Sequence, residues 1–186
     1  SLQERNEARR STVEDRCRLA ADIVNALDEP CAVWCNLNAE SELLAKLIHG
    51  AVEVTGSDTP EHKASALIGF ADGEIKALVS KPRIAGFGMN FQTSRHCVFV
   101  GLSDSWESYY QAIRRQWRFG QTRTVHCHIV SADTEGAVVD NIRRKDQQHQ
   151  ELSAAMMDQM VDFMRREVFG AAIEKTDYAA EMDMEL

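Results

Sequence analysis

Residues 111–121 carry three arginines in a pattern that suits anion binding. At about 100° per residue, a helix over this segment brings one glutamine and all three arginines onto one face. These residues are Gln111, Arg114, Arg115 and Arg118. Guanidinium groups stay charged and match phosphate oxygens, so this face could hold a phosphate-bearing ligand. A solvated arginine face near a helix C-terminus, ended by Gly120, would produce the same pattern.

A loop upstream of these arginines combines cations with glycines. Its polar and glycine positions are Ser80, Lys81, Arg83, Gly86, Gly88, Asn90 and Gln92. Glycines leave backbone N–H groups accessible, and two cations beside such groups suit a phosphate. Loop glycines that serve only a turn are the simpler alternative. The third glycine of a dinucleotide fingerprint is missing, so the loop does not predict a nicotinamide site.

The distribution of charge along the chain singles out the same region. The chain of 186 residues has a net charge of −8, which argues against nonspecific coating of nucleic acid. The segment 80–123 differs, because it holds seven basic residues and only two acidic ones, a net +5. Any site for a polyanion is therefore expected in this segment.

The composition is that of a single globular domain, with room for a helical appendage. Apolar residues make up 44% of the chain, and no run approaches the roughly 20 apolar residues of a membrane span. The five cysteines, an odd number without CxxC spacing, favour a reduced, cytoplasmic setting and argue against zinc. His126 and His128 have a spacing that metal sites use, but no third ligand accompanies them, so no metal site is predicted.

The elements that must position these residues alternate between strands and helices. Short apolar runs predict strands at 31–35, 51–54, 75–79, 97–100 and 125–129. Such alternation predicts an α/β fold in which a mostly parallel sheet is covered by helices on both faces. Ligands bind such sheets at the carboxyl ends of the strands, which is where the loop from Ser80 begins.

The arginine segment itself is predicted as a helix over 105–119. Its apolar stripe consists of Trp106, Tyr109, Tyr110, Ile113 and Trp117. This stripe should face the core, and the arginines should face the opposite way.

Taken together, the two polar segments resemble motifs of superfamily 2 helicases. Residues 79–92 resemble motif V, and residues 111–121, some twenty residues later, resemble motif VI. The pattern is most similar to that of the Swi/Snf-type helicase-like ATPases, in a subgroup common in phages and prophages. Residues 31–40 stand where that family has motif IV, and residues 55–58 also match its pattern. The joint match of motifs V and VI is highly specific.

The resemblance covers roughly residues 11 to 145 and implies a domain organisation. It implies a three-layer RecA-like fold of the P-loop NTPase type, with five or more strands, over 11–131. Residues 1–10 are expected to form a disordered lead, because they carry no apolar period. Residues 132–186 are expected to form a C-terminal helical extension with an acidic tail.

The resemblance also implies roles for individual residues. At ATP it implies Arg118 and Arg115 as catalytic arginines, and Gln111, Gly86, Gly88 and Asn90 as binding residues. At the nucleic-acid backbone it implies Ser80, Lys81 and Arg83. Arg118 is the implied arginine finger, since transition-state charge spreads over phosphate oxygens. This chain has Lys-Pro-Arg after Ser80, where many relatives have Thr-Lys-Ala.

The implied activity is that of the C-terminal lobe of an ATP-dependent DNA helicase or translocase in a bacterial or phage-infected cell. Its implied partners are an N-terminal RecA-like lobe of the same protein and DNA, with RNA less favoured and no membrane. ATP and Mg²⁺ would be held mainly by that other lobe. Because no G-x-x-x-x-G-K-[ST] phosphate loop occurs in this sequence, the chain alone is predicted to be inactive. The alternative is a stand-alone module that binds nucleic acid or protein without hydrolysis.

Overall fold

The computed structural model describes residues 10–85, 89–103, 105–132 and 136–184. The first half comprises α1 (Val13–Asn25), β1 (Cys31–Cys35), α2 (Asn38–Leu47), β2 (Ala51–Val54), α3 (Pro60–Ala71) and β3 (Ala77–Ser80). The second half comprises β4 (His96–Val100), α4 (Trp106–Ile113), β5 (His126–Val130) and α5 (Gly136–Met184). The predicted disordered lead lies outside the described residues apart from Arg10, which is helical.

The five strands form one parallel sheet in the order β2-β3-β1-β4-β5. Strands β1, β3 and β4 are buried along their whole length. Parallel strands covered on both faces consist of unbroken apolar runs, which is why the segments CAVWC and CVFV predicted strands. The predicted α/β fold with a parallel sheet is confirmed.

Alternate residues of β1 enter two separate cores. Cys31, Val33 and Cys35 pack with α1 and α2 on one face of the sheet. Ala32 and Trp34 pack on the other face, with residues of α3 and α4. The period-two alternation of the strand thus builds three layers, as the RecA-like fold requires.

The predicted helix over 105–119 is wrong in its second half, because α4 ends at Ile113. Beyond that point the backbone tightens: the N–H groups of Arg115 and Gln116 bond to carbonyls three residues back, at 3.3 and 3.0 Å. The carbonyl of Arg115 accepts from Phe91 at 2.8 Å instead of from residue 119. The motif VI arginines therefore lie on an irregular turn that packs against the preceding loop.

The early end of α4 also corrects the predicted apolar stripe, which does not extend to Trp117. Trp117 was expected in the core, but 52% of its surface is exposed. Trp106, Tyr109 and Ile113, which precede the break in the helix, do pack against the core as predicted. The face that a residue presents follows the helical period only as far as the helix continues.

Helix α5 begins in one compact unit and continues into another. The first unit runs to Arg143 and buries Val138 and Ile142 of α5 in the core of the sheet domain. The second unit begins at Arg144, and its described residues, 144–184, belong to the same helix. The domain boundary at residue 131 stays a prediction. Among the described residues, no helix is both long enough and apolar enough to cross a membrane.

Candidate functional site

Several hydrogen bonds join the loop 89–92 to the turn that follows α4. The N–H of Phe91 donates to the carbonyl of Arg115 at 2.8 Å. The side-chain amide of Gln92 donates to the carbonyl of Phe119 at 2.6 Å, and that of Gln121 donates to the carbonyl of Gln92 at 3.0 Å. The segments that resemble motifs V and VI thus form one hydrogen-bonded unit, which we call the motif V–VI unit.

The backbone of this unit needs a glycine at residue 120. Gly120 has a φ of +94°, a conformation that residues with a Cβ rarely adopt. A Cβ there would also lie 3.4 Å from the side-chain nitrogen of Gln92. The sequence predicted a left-handed Gly120 at the end of a helix. The residue has that conformation, but it shapes a turn that begins after the helix has ended.

Asn90 and Gln92 form a local side-chain turn at the start of the unit. The amide of Asn90 donates to Gln92 Oε1 at 2.9 Å, and the N–H of Gln92 donates to Asn90 Oδ1 at 3.1 Å. This arrangement leaves Asn90 exposed while its orientation is fixed. Gly86 and Gly88, predicted in the same loop, lie outside the described residues.

Arg115 does not share an exposed face with Arg118, which corrects the predicted arginine face. Its guanidinium is buried and donates to the carbonyls of Ala85 at 3.1 Å and Pro82 at 3.3 Å. It also lies over the ring of Trp34, 5.9 Å from the centroid. Burial lowers the pKa of Arg115 from its usual value. In this conformation the side chain fastens the loop after β3 to the core.

Arg118, in contrast, is exposed at the surface of the motif V–VI unit. One guanidinium nitrogen lies 3.5 Å from the carbonyl of Met89, at the outer limit of a hydrogen bond. Gln111 is exposed on α4. Arg114 stacks over Trp117 at 5.4 Å, so this third arginine is engaged with an aromatic ring.

A second group of polar residues lies at the carboxyl ends of β1, β2 and β3. Lys81 lines three adjoining clefts with volumes of about 450, 370 and 510 Å³, and Arg83 lines the second of them. Lys81 also donates to Asn38 Oδ1 at 2.5 Å. Ser80 is fully buried, and its hydroxyl donates to the carbonyl of Val54 at 2.8 Å. Of the three predicted backbone contacts, only the two cations are accessible to a ligand in this structure.

Residues 55–57 of the turn 55–58 line the cleft of about 450 Å³. Asp58 accepts from the N–H of Thr55 at 2.7 Å and from its hydroxyl at 2.8 Å. These two bonds lower the pKa of Asp58, the backbone bond more than the hydroxyl bond. The carboxylate therefore fixes the turn, and Gly56 and Ser57 are held in place along the cleft.

A buried ion pair between Arg16 and Glu40 lies behind Asn36 and Leu37, which line the third cleft. The sequence did not predict this pair. Arg16 donates to Glu40 Oε1 at 2.7 Å, with side chains that are 3% and 0% exposed. Glu40 Oε2 accepts from the N–H groups of Asn36 and Leu37, both at 2.9 Å. Nothing in the sequence pointed to a partner of Glu40 that lies 24 residues away.

Gln116 is the second functional candidate that the sequence analysis overlooked. Its side chain is fully buried, and its amide donates to Ser94 Oγ and to the carbonyl of His96, both at 2.7 Å. It thereby ties the motif V–VI unit to the start of β4. Its position inside an arginine-rich segment gave no indication of burial, because the helical period assumed there does not hold.

Comparison with known proteins identifies the family. Residues 16–120 match the family of helicase conserved C-terminal domains, and this match covers more than half of the chain. The chain belongs to this family. Together with the fold, the match supports a C-terminal lobe of the superfamily 2 helicase type, as the motifs predicted.

The fold is also similar to a solved structure, the C-terminal part of the Fun30 ATPase domain. The TM-score is 0.53 at 18% sequence identity, and the match covers 61% of this chain and 39% of that chain. At this level of identity the similarity is one of fold. A comparison with curated protein sequences gave no match.

Proposed function

We propose that this chain is the C-terminal RecA-like lobe of an ATP-dependent DNA helicase or translocase. ATP would bind between this lobe and an N-terminal RecA-like lobe of the same protein, with Arg118 approaching the phosphates from this side. The observation that carries the proposal is the motif V–VI unit, whose bonds fix the turn around an exposed Arg118. Membership of the helicase C-terminal family supports the proposal.

Arg118 is suited to act as an arginine finger. The backbone carbonyl of the next residue accepts from Gln92, and within the described part of the chain the guanidinium makes one long contact, to Met89, so it can turn towards a phosphate. A planar cation placed in advance stabilises developing charge on phosphate oxygens without reorganisation cost. In related NTPases such arginines contribute on the order of 10³–10⁵ in rate.

Arg115 has a different role in this proposal from the one its motif position implied. Contact with ATP would require its buried guanidinium to leave the carbonyls of Pro82 and Ala85. Its contribution in the present conformation is to hold the loop that leads to Asn90. We assign the exposed Asn90 and Gln111 to the nucleotide as well, Asn90 near the ribose and Gln111 near the phosphates or the arginines.

The nucleic-acid backbone is assigned to the clefts around Lys81. Lys81 and Arg83 provide the positive charge, and the turn 55–58 and residues 36–38 provide amides and hydroxyls. Contacts of this kind bind phosphate without reading sequence. The choice of DNA over RNA follows from the resemblance to Swi/Snf-type ATPases. The narrower phage-like assignment and the cytoplasmic location stay predictions.

Mg²⁺ is assigned to the N-terminal lobe together with the β- and γ-phosphates. Within the residues described here, no three His, Cys, Asp or Glu side chains form a group that could hold a metal ion. In this proposal the residues of this chain act on the nucleotide as hydrogen-bond donors and cations. They orient the phosphates when the two lobes close.

The first experiment compares the chain alone with the protein in which it is joined to its N-terminal lobe. We expect the purified chain to hydrolyse ATP no faster than background and the two-lobed protein to show DNA-stimulated hydrolysis. Robust turnover by the chain alone would overturn the assignment of the phosphates to another lobe. DNA or protein binding without hydrolysis by the two-lobed protein would favour the non-hydrolysing module.

A further inference from the structure

The carboxylate of Glu29, at the amino ends of the strands, is linked to the motif V–VI unit. Glu29, in the loop before β1, binds Arg95 through contacts of 2.6 Å and 2.9 Å and binds Arg123 at 3.2 Å. Arg95 immediately precedes β4, and Arg123 lies just before β5. Glu29 therefore joins the amino ends of three neighbouring strands, since β1, β4 and β5 are adjacent in the sheet.

Arg123 extends this link to the loop 89–92. Its second terminal nitrogen donates to the carbonyls of Thr93 at 2.8 Å and Gln92 at 3.3 Å. Its backbone N–H donates to Gln121 Oε1 at 3.2 Å. Gln92 in turn holds the carbonyl of Phe119. A continuous set of hydrogen bonds thus runs from Glu29 to the residue that follows Arg118.

The geometry gives the link more strength than an ordinary surface ion pair. Arg95 binds the carboxylate in a bidentate manner, and a single carboxylate serves two arginines, as in a network. The hydrogen bonds from Arg95 lower the pKa of Glu29, so the carboxylate is charged at neutral pH. The side chains of Glu29 and Arg95 are each about one-third exposed, so the pair is partly shielded from solvent.

We propose that Glu29 is a positioning residue for Arg118, acting through Arg123 and Gln92. Glu29 fixes the Arg123 guanidinium, Arg123 fixes the carbonyls of residues 92 and 93, and Gln92 fixes the turn that carries the finger. Loss of the carboxylate frees Arg123 and loosens the turn without touching the nucleotide. This inference rests on the proposed function, in which Arg118 takes part in ATP hydrolysis.

The mechanical part is tested on the chain alone by hydrogen exchange. Glu29→Gln should raise exchange at the Gln121 amide, which bonds to the carbonyl of Arg118 at 3.0 Å, while α2 stays unchanged. Glu14→Gln is the matched control, because Glu14 pairs with Arg18 on the exposed face of α1. Unchanged exchange at Gln121 in Glu29→Gln would overturn the link.

The catalytic part is tested by a double-mutant cycle in the two-lobed protein. We expect Glu29→Gln to lower kcat about tenfold or more, with the KM for ATP changed less than about twofold, because misplacement of a catalytic group mainly costs rate. Combined with Arg118→Ala, it should lower kcat no further than Arg118→Ala alone. Arg123→Ala should behave in the same way, and it replaces Glu29→Gln if that variant does not fold.

The outcomes separate the two proposals. Normal kcat in Glu29→Gln and Arg123→Ala beside a strongly impaired Arg118→Ala would overturn the positioning role and leave the proposed function intact. Additive losses of kcat in the double mutant would also overturn the positioning role, since they would show that Glu29 affects the rate independently of Arg118. A normal kcat in Arg118→Ala would overturn the proposed function and the positioning role with it.

Discussion

The side-chain amide of Gln92 donates to the backbone carbonyl of Phe119 at 2.6 Å and closes a contact between residues 27 positions apart in the chain. Phe119 itself is fully exposed, so the bond fixes the backbone there without packing of the side chain. Gln92 also accepts from Asn90, which places the proposed nucleotide residue on the same amide. One glutamine therefore orients both halves of the motif V–VI unit.

Replacement of Gln92 by Ala should separate positioning from stability. We expect a loss of about 1 kcal/mol in the free energy of unfolding, the usual worth of a neutral hydrogen bond. The kcat of the two-lobed protein should fall by about tenfold or more, because the turn that carries Arg118 loosens. Gln147→Ala serves as the control, since Gln147 is exposed and its amide donates to Glu151 one turn further along α5. An unchanged kcat would contradict the role given to Gln92.

Arg115 should matter for the stability of the chain alone. Arg115→Ala removes a buried guanidinium that donates to two carbonyls and packs on Trp34. We therefore expect the free energy of unfolding, measured in urea, to fall by about 3 kcal/mol. Arg115→Lys should restore little of this, because an ammonium cannot reproduce the planar fork. The control is Arg18→Ala on the exposed face of α1. A change below about 0.5 kcal/mol would contradict the buried arrangement.

The Arg16–Glu40 pair should be the most sensitive electrostatic contact of the chain. Glu40→Gln leaves a buried guanidinium without its carboxylate and weakens the bonds to the N–H groups of Asn36 and Leu37. Breaking a buried pair in this way costs about 3–5 kcal/mol. Chemical denaturation measures the loss, with Glu14→Gln as the surface control. Equal stabilities of the two variants would show that the pair does not hold the loop after β1.

Lys81 and Arg83 should set the salt dependence of DNA binding by the two-lobed protein. Replacement of either residue by Ala should weaken binding by a similar factor for all sequences and lower the slope of log K against log salt by about 0.7–0.9. Lys46→Ala, in the last turn of α2, provides a matched loss of charge. If all three variants bind with the wild-type slope, the clefts at the carboxyl edge are not the DNA site.

The sheet was predictable from the sequence because its three central strands are buried on both faces, and the partly exposed strands β2 and β5 still carry short apolar runs. Strands β1 and β2 were predicted with the bounds observed, and β4 and β5 within one residue at each end. The start of β3 was placed two residues early. Gly69 explains this, since its carbonyl accepts from the N–H groups of both Glu74 and Ile75 and holds them outside the strand. The order of the strands follows from long-range packing, on which the sequence pattern was silent.

The helicase motifs were predictable from residue types and spacing, and their geometry was less so. The spacing of the arginines identified the motif, but it assumed a helix that ends at Ile113. Arg115 turns inward because the carbonyls of Pro82 and Ala85, some thirty residues away, are available to it. Such partners depend on how the loop after β3 folds back on α4. Local periodicity carries no information about this contact.

The most direct test of the central claim is the rate of ATP hydrolysis by the two-lobed protein with Arg118→Ala. The control is Arg143→Ala, a largely exposed arginine on α5. We expect Arg118→Ala to lower kcat by roughly 10³-fold or more at saturating ATP and DNA, with ATP binding largely retained, and Arg143→Ala to have the wild-type kcat. Near-normal turnover by a folded Arg118→Ala protein would contradict the arginine-finger assignment and, with it, the function proposed for the motif V–VI unit.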